Sequence, residues 1–347
     1  MLALRLYGAN DIRLVDIPVP EINDDEILLK TQAAALCGTD IRMWKNGKDG
    51  VDADHPLTLG HEFAGVIEKV GKNVPFYQKG MRVTLQPNIG CGICDRCVDG
   101  KYHLCDDYRA FGINMDGAFA EYVKIPADAV IRGNLAVIPD NISPAEAAVV
   151  EPMSCAYNGF TKCSVKPGEF ALVVGAGPIG FCHASLLHMA GARVLMADIS
   201  EDRLNSMKKR LPFISTTSAS GEALTEYVHE WTNGAGLDIA ITACPVASVQ
   251  SAMPALMNYG GRVNFFGGIP DGKEPVAINT NLIHYRELYL TGSTRSSIAQ
   301  FRKILDFVSR GVLNIKPILT DYYELKDIGS AFQNASEAKG IKHVIQF

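Results

Sequence analysis

Apolar and polar residues alternate over short stretches near the amino terminus, at positions 3–7, 12–17 and 26–35, separated by Gly, Pro and an Asn-Asp-Asp turn. This spacing lacks helical periodicity and predicts an antiparallel, barrel-like domain. Further strands are predicted at 63–70, flanked by Gly60 and Gly65, at 82–85 and at 116–123, with a turn over Gly71-Lys72-Asn73-Val74. Between them, Cys37-Gly38-Thr39-Asp40 opens a helix with Thr39 or Asp40 as its cap.

The pattern changes after Pro139. Ser143-Pro144-Ala145-Glu146 is a helix start, with Ser143 as N-cap, Pro144 at the first helical position and Glu146 closing a capping box. That helix is expected to carry Glu151 near its end or at the break made by Pro152. From Gly168 onward strands (170–174, 193–197, 239–242, 262–266, 288–291) alternate with helices such as 179–190 and 201–210. Such alternation predicts a doubly wound parallel sheet with helices on both faces. An amphipathic helix at 298–310 and a strand at 342–347 complete the chain.

With 347 residues, the chain suits two domains better than one core. The net charge is −5 and the one dense basic cluster, Lys208-Lys209-Arg210, sits at a helix end, so nucleic acid is not an expected partner. The longest apolar run, 170–197, is broken by four glycines and Arg193, which suits a nucleotide-binding turn and not a membrane span. Arg5, Asp11, Arg13 and Asp16 leave no apolar core for a signal peptide. A cytoplasmic location is expected.

Of nine cysteines, four cluster as Cys91-x2-Cys94-x2-Cys97-x7-Cys105, with Gly90 and Gly92 freeing the loop. Four thiolates at this spacing close a tetrahedral structural Zn²⁺ site. An iron–sulfur cluster uses similar spacings, but the proline of the bacterial pattern is missing. Cys155, Cys163, Cys182 and Cys244 lie in apolar surroundings and read as small hydrophobes. A second donor set is distributed along the chain: Cys37, the His61-Glu62 pair and Glu151. A thiolate, an imidazole and one or two carboxylates hold a catalytic zinc with one position open.

Gly175-Ala176-Gly177-Pro178-Ile179-Gly180 follows a strand and opens a helix, the context of a dinucleotide turn. Asp198, 18 residues beyond Gly180, closes the next strand. A carboxylate there accepts bonds from ribose hydroxyls and repels a 2′-phosphate, which favours NAD over NADP. Arg203 nearby is the residue that could serve a phosphate instead.

These motifs, with Phe119-Ala120-Glu121-Tyr122 and Glu151-Pro152, resemble the zinc-dependent medium-chain dehydrogenases/reductases, the alcohol dehydrogenase superfamily, over nearly the whole chain. The polyol (sorbitol, or L-iditol) dehydrogenase branch is the most similar. The resemblance implies a GroES-like β-barrel catalytic domain (1–147 and 292–347, zinc lobe at about 88–108) and a Rossmann domain (148–291). It implies Cys37, His61 and Glu62 as zinc ligands, with Glu151 direct or through water, and Thr39 in the proton path. It also implies oxidation of a secondary alcohol of a polyol and a homo-oligomer, a tetramer or a dimer. Arg295 matches an arginine that contacts polyols. Arg42 stands where many relatives carry a relay histidine, and an arginine there suits an anionic polyol phosphate. Threonine 3-dehydrogenase, vicinal-diol dehydrogenase and a non-catalytic nucleotide- and zinc-binding regulator are the alternative readings.

Overall fold

The computed structural model describes residues 1–347, which divide into two compact units. One contains Met1–Glu151, Ser296–Gly311 and Ile318–Phe347; the other contains Pro152–Arg295 and Val312–Pro317. The divisions fall a few residues from those expected at 147/148 and 291/292. Ser293 Oγ donates to Asn264 Oδ1 at 3.0 Å and Arg210 Nη1 to the Pro317 carbonyl at 3.0 Å, which keeps 293–295 and 312–317 with the second unit.

In the first unit, the strand Ile27–Ala35 is the hub. It pairs antiparallel with Glu62–Val70, with Tyr122–Ile125 and with the last strand, Lys342–Gln346. Arg82–Leu85 and Leu135–Val137 extend one side, and Leu319–Glu324 the other. A hub strand is covered on both faces, which explains why Ile27, Leu29, Ala34 and Ala35 are all inaccessible to solvent. A smaller antiparallel sheet of Leu2–Gly8, Asp11–Asp16 and Leu57–Thr58 closes over a core containing Leu6, Phe63, Phe111, Phe119 and Phe332. Register then delivers chemistry to one place. Ala35 lies opposite both Glu62 and Val344, so Cys37, His61 and Lys342 emerge at the same sheet end.

The second unit is a six-stranded sheet whose neighbours are all parallel, in the order Ser215–Thr217, Arg193–Ala197, Phe170–Val174, Leu237–Thr242, Met257–Phe265, Tyr289–Gly292. This is the 3-2-1-4-5-6 order of a dinucleotide-binding sheet. Phe170–Val174 at its centre is a continuous apolar run and its neighbours carry the apolar runs 194–197 and 239–241, as burial on both faces requires.

Three local expectations are corrected. Residues 116–121 are not strand, which begins at Tyr122. The amides of Gly117, Ala118 and Phe119 instead donate to the carbonyls of Thr58, Gly60 and Leu59, a crowded crossing with no ladder. Helix Gly38–Asn46 is capped by Cys37, while Asp40 sits in its first turn. The helix opened by Ser143 ends at Ala148, and Glu151 with Pro152 lies in the first turn of a new helix, Val150–Cys163. Proline is tolerated in a first turn because its missing N–H has no partner there anyway.

A Cβ added at Gly117 would fall 2.2 Å from the Gly60 carbonyl oxygen. Gly117→Ala is therefore expected to cost about 1–3 kcal/mol through overpacking. A urea midpoint matching the parent protein's would contradict this account of the crossing.

Candidate active site and metal centres

Cys37 follows the hub strand and caps Gly38–Asn46 with extended backbone angles. Asp40, wholly buried, secures it: its Oδ2 accepts from the Cys37 amide at 2.9 Å. The other carboxylate oxygen, Oδ1, lies 3.6 Å from His61 Nδ1, an ion-pair distance, so one carboxylate faces both residues. Glu62 opens the next strand, also at 0% exposure. Its Oε1 accepts from Lys342 Nζ at 2.6 Å, and its Oε2 is buried without a hydrogen-bond partner. The ligand atoms of Cys37, His61 and Glu62 all lie within 4.8 Å of one another.

Charge is crowded here. Burial opposes ionisation of Cys37, but His61 and Lys342 outweigh it and bring the thiol down to about 7. Burial would lower His61, yet Asp40 and Cys37 hold it well above the usual imidazole range. Burial pushes Glu62 up; Lys342 pulls against this, and Cys37 and Glu151 add to it. Such a set balances its charge either with protons or with a divalent cation. A sulfur, a nitrogen and an unpartnered carboxylate oxygen fit an open zinc site; Glu151 is buried and near enough to act on the charge of Glu62, but its carboxylate is not one of the three convergent groups.

Thr39 is half-buried one residue from the Cys37–Gly38 start, and its Oγ1 accepts from Arg42 Nη2 at 3.2 Å. Arg42 itself is exposed.

The four clustered cysteines are free thiols. Cys91 and Cys97 sulfurs are 4.0 Å apart, and Cys94 and Cys105 sulfurs 3.8 Å apart. These separations are far beyond a disulfide. A tetrahedron of sulfurs about 2.3 Å from zinc has edges of about 3.8 Å. Amides of Ile93 and Cys94 aimed at Cys91 bring its thiol down to about 6. The set fits a closed zinc site.

In the second unit, the three glycines of 175–180 have separable reasons. Gly175 turns with φ of +116°. A Cβ on Gly180 would lie 1.9 Å from the Gly175 carbonyl oxygen, so helix–strand packing forbids one. A Cβ on Gly177 would meet no protein atom within 4 Å, so packing within the chain does not demand glycine there. Pro178 and Ile179 begin the helix Pro178–Met189. Asp198 Oδ2 accepts from Ala176 N at 2.7 Å and its Oδ1 from Ser200 N at 2.9 Å, which pins the carboxylate beside the glycine turn. Arg203 is exposed in the first turn of Glu201–Arg210. Arg295 has a left-handed backbone, φ +54°, and its carbonyl accepts from Asn158 Nδ2 at 3.1 Å.

Residues 23–140 match the family model described as alcohol dehydrogenase GroES-like domain, and 178–310 that described as zinc-binding dehydrogenase. Sorbitol dehydrogenase of Bacillus subtilis (strain 168) is 32% identical over 98% of this chain and 94% of that protein. The chain belongs to the zinc-dependent medium-chain dehydrogenases/reductases. L-threonine 3-dehydrogenase of Bacillus velezensis is 31% identical over 94% of this chain and 92% of that one. Among solved structures, a zinc-binding dehydrogenase from Sinorhizobium meliloti bound to NADP has 29% identity and a TM-score of 0.88, covering 100% of this chain and 99% of that one. An alcohol dehydrogenase of Escherichia coli CFT073 complexed with NADH has 25% identity and a TM-score of 0.90, at the same coverages. The expected GroES-like barrel with a Rossmann domain is thus the architecture of this dehydrogenase.

Two members of the Cys37 site were not singled out for it from sequence. Asp40 stands in the sequence only as a candidate helix cap. Lys342 lies 280 residues from Glu62, and its one signal is a lysine opening an apolar strand.

A zinc ion held by Cys37 and His61 would compete with protons for them, so metal affinity at this site should weaken as pH falls through about 7. Metal competition titrations at about pH 8 and about pH 6 measure this. Equal affinity at both would show that the thiol is not a ligand.

Proposed function

We propose that this chain oxidises a secondary hydroxyl of a polyol or sugar alcohol to the ketose, with zinc and NAD. The observation that carries the reading is the open donor set of Cys37, His61 and Glu62, convergent at one sheet end. The sorbitol dehydrogenase relative supports the substrate class. When bound, zinc supplies the Lewis acidity that favours loss of the hydroxyl proton, and the nicotinamide accepts the hydride.

The chain's own residues do the remainder. Cys37, His61 and Glu62 hold the metal, with Glu151 direct or through water. Asp40 fixes the imidazole of His61, and Lys342 keeps Glu62 in place. Thr39 receives the hydroxyl proton and passes its own outward. Arg42 cannot accept a proton, because a guanidinium has only donors. Its bond to the Thr39 oxygen leaves the threonine hydrogen free to be donated. Gly175, Gly177 and Gly180 admit the pyrophosphate to the helix start, and Asp198 receives the ribose hydroxyls. The four-cysteine lobe holds a structural zinc.

Arg42 also favours a second substrate reading. It is an exposed cation that donates to the Thr39 hydroxyl oxygen, a neutral acceptor that leaves its charge available to the phosphate of a polyol phosphate. Arg295 and Arg203 are held as further candidates for substrate and cofactor. A homo-oligomer, a tetramer or a dimer, is part of the proposal; the sheet ends on the unpaired edge of Tyr289–Gly292, with Tyr289 exposed. Free thiols favour a reducing, cytoplasmic setting. No helix is long and apolar enough to cross a membrane.

The test is an NAD-linked screen over polyols, their phosphates, threonine and vicinal diols, with zinc content measured alongside. NADH formation from a polyol is expected, reduced more than about 100-fold by Cys37→Ser. Turnover of threonine with none of any polyol would reject the substrate class. A phosphate preference abolished by Arg42→Ala would select the second reading. Asp198→Ala should weaken NAD binding about tenfold or more, as loss of bonds to a charged group implies, and narrow the gap to NADP. An unchanged cofactor preference would remove Asp198 from the ribose site.

A further inference from the structure

The loop carrying the four cysteines is shaped from outside by a side chain that binds no metal. Arg132 caps the short helix Ala127–Ile131, which lies beyond the cysteine loop in the chain. Its Nη1 donates to the carbonyl of Gly90, and its Nη2 to the carbonyl of Cys91 at 2.6 Å. The same guanidinium meets Asp128 Oδ2 at 3.1 Å, and that oxygen is also paired with Arg109. An Arg–Asp–Arg chain therefore grips two successive carbonyls of the loop.

One peptide unit links this grip to the sulfurs. The Gly90 carbonyl accepts from Arg132, while the N–H of that same peptide, on Cys91, donates to Cys105 Sγ at 3.3 Å. Bonds in series polarise one another, so the guanidinium strengthens the donation to the sulfur as well as aiming it. The glycines flanking Cys91 fit the same arrangement. A Cβ at Gly92, where φ is +85°, would lie 2.8 Å from Arg132 Nε, and one at Gly90 would lie 2.5 Å from Cys97 Sγ. One glycine makes room for the guanidinium and the other for a thiol.

We infer that Arg132 is the positioning residue of the four-thiolate site: through the Gly90–Cys91 peptide it sets the donor facing Cys105 and holds Cys91 in place, which slows loss of the metal. This rests on the reading that the four cysteines hold zinc. Arginine suits the task because its planar fork donates along two carbonyl directions at once, which an ammonium does not. Groups that orient the ligands of a metal typically alter affinity about 10–100-fold.

The experiment follows zinc released to a chromogenic chelator from the zinc-loaded full-length protein and its Arg132→Ala and Arg132→Lys variants. Loss of one zinc per chain should quicken about 10–100-fold in Arg132→Ala and by less in Arg132→Lys, with the other zinc leaving at the parent rate. Cobalt-substituted protein identifies the affected site, since four thiolates give a far stronger charge-transfer band than the single thiolate of Cys37. Release within twofold of the parent protein overturns the inference, as does equal quickening of both zincs with a lowered Tm. Should Arg132→Ala not fold, Arg132→Lys decides alone: an unchanged rate at an unchanged Tm overturns it. A parent protein that takes up no cobalt with a tetrathiolate spectrum removes the zinc assignment itself, a result distinct from failure of the clamp.

Discussion

The buried carboxylate of Glu62 is the constraint on which the first unit turns. It is wholly excluded from water, next to a thiol and an imidazole, and only one of its oxygens has a hydrogen-bond partner. An uncompensated charge in such a place costs several kcal/mol, and removing one partner of a buried pair typically costs about 3–5 kcal/mol. Lys342 supplies part of the compensation from the last strand of the chain. The rest falls to a proton or a cation. The ion pair thus joins the strand after His61 to the last strand of the chain at the sheet end where Cys37 also emerges.

The two cysteine-bearing centres divide the work between them. At residues 91–105 four sulfurs stand at tetrahedral edge lengths, leaving no position for a substrate. At Cys37 the donors are chemically mixed and come from a helix cap and a strand start, leaving room for exchange. The first depends on loop geometry and close-range hydrogen bonds to sulfur. The second depends on sheet register, since a shift of one residue at Ala35 would turn Glu62 to the other face.

Backbone crowding is the other recurring device. Gly180 is required by its own turn and Gly117 by the carbonyl of Gly60, both approaches that no Cβ survives. Gly177 differs, since open space surrounds it. Within one motif, then, the turn demands glycine at 175 and packing demands it at 180, while neither demands it at 177.

The sequence by itself determined the features that depend on neighbours along the chain. The strand limits at 170–174 and 193–197, the helix at 201–210, the capping box at Ser143 and the cysteine spacing are local, written in periodicity and turn chemistry. The pairing of His61 and Glu62 with Cys37 was legible because motif residues with metal-ligand chemistry recur in a recognisable order. Only the tertiary structure decided the rest. That Cys37 and not Thr39 caps its helix follows from Asp40 reaching back to the Cys37 amide and across to His61. That 116–121 leaves the sheet follows from its collision with 58–60. Lys342 was invisible because an ion pair spanning the whole chain has no period; it exists only once the hub strand has brought both ends of the sequence to the same edge.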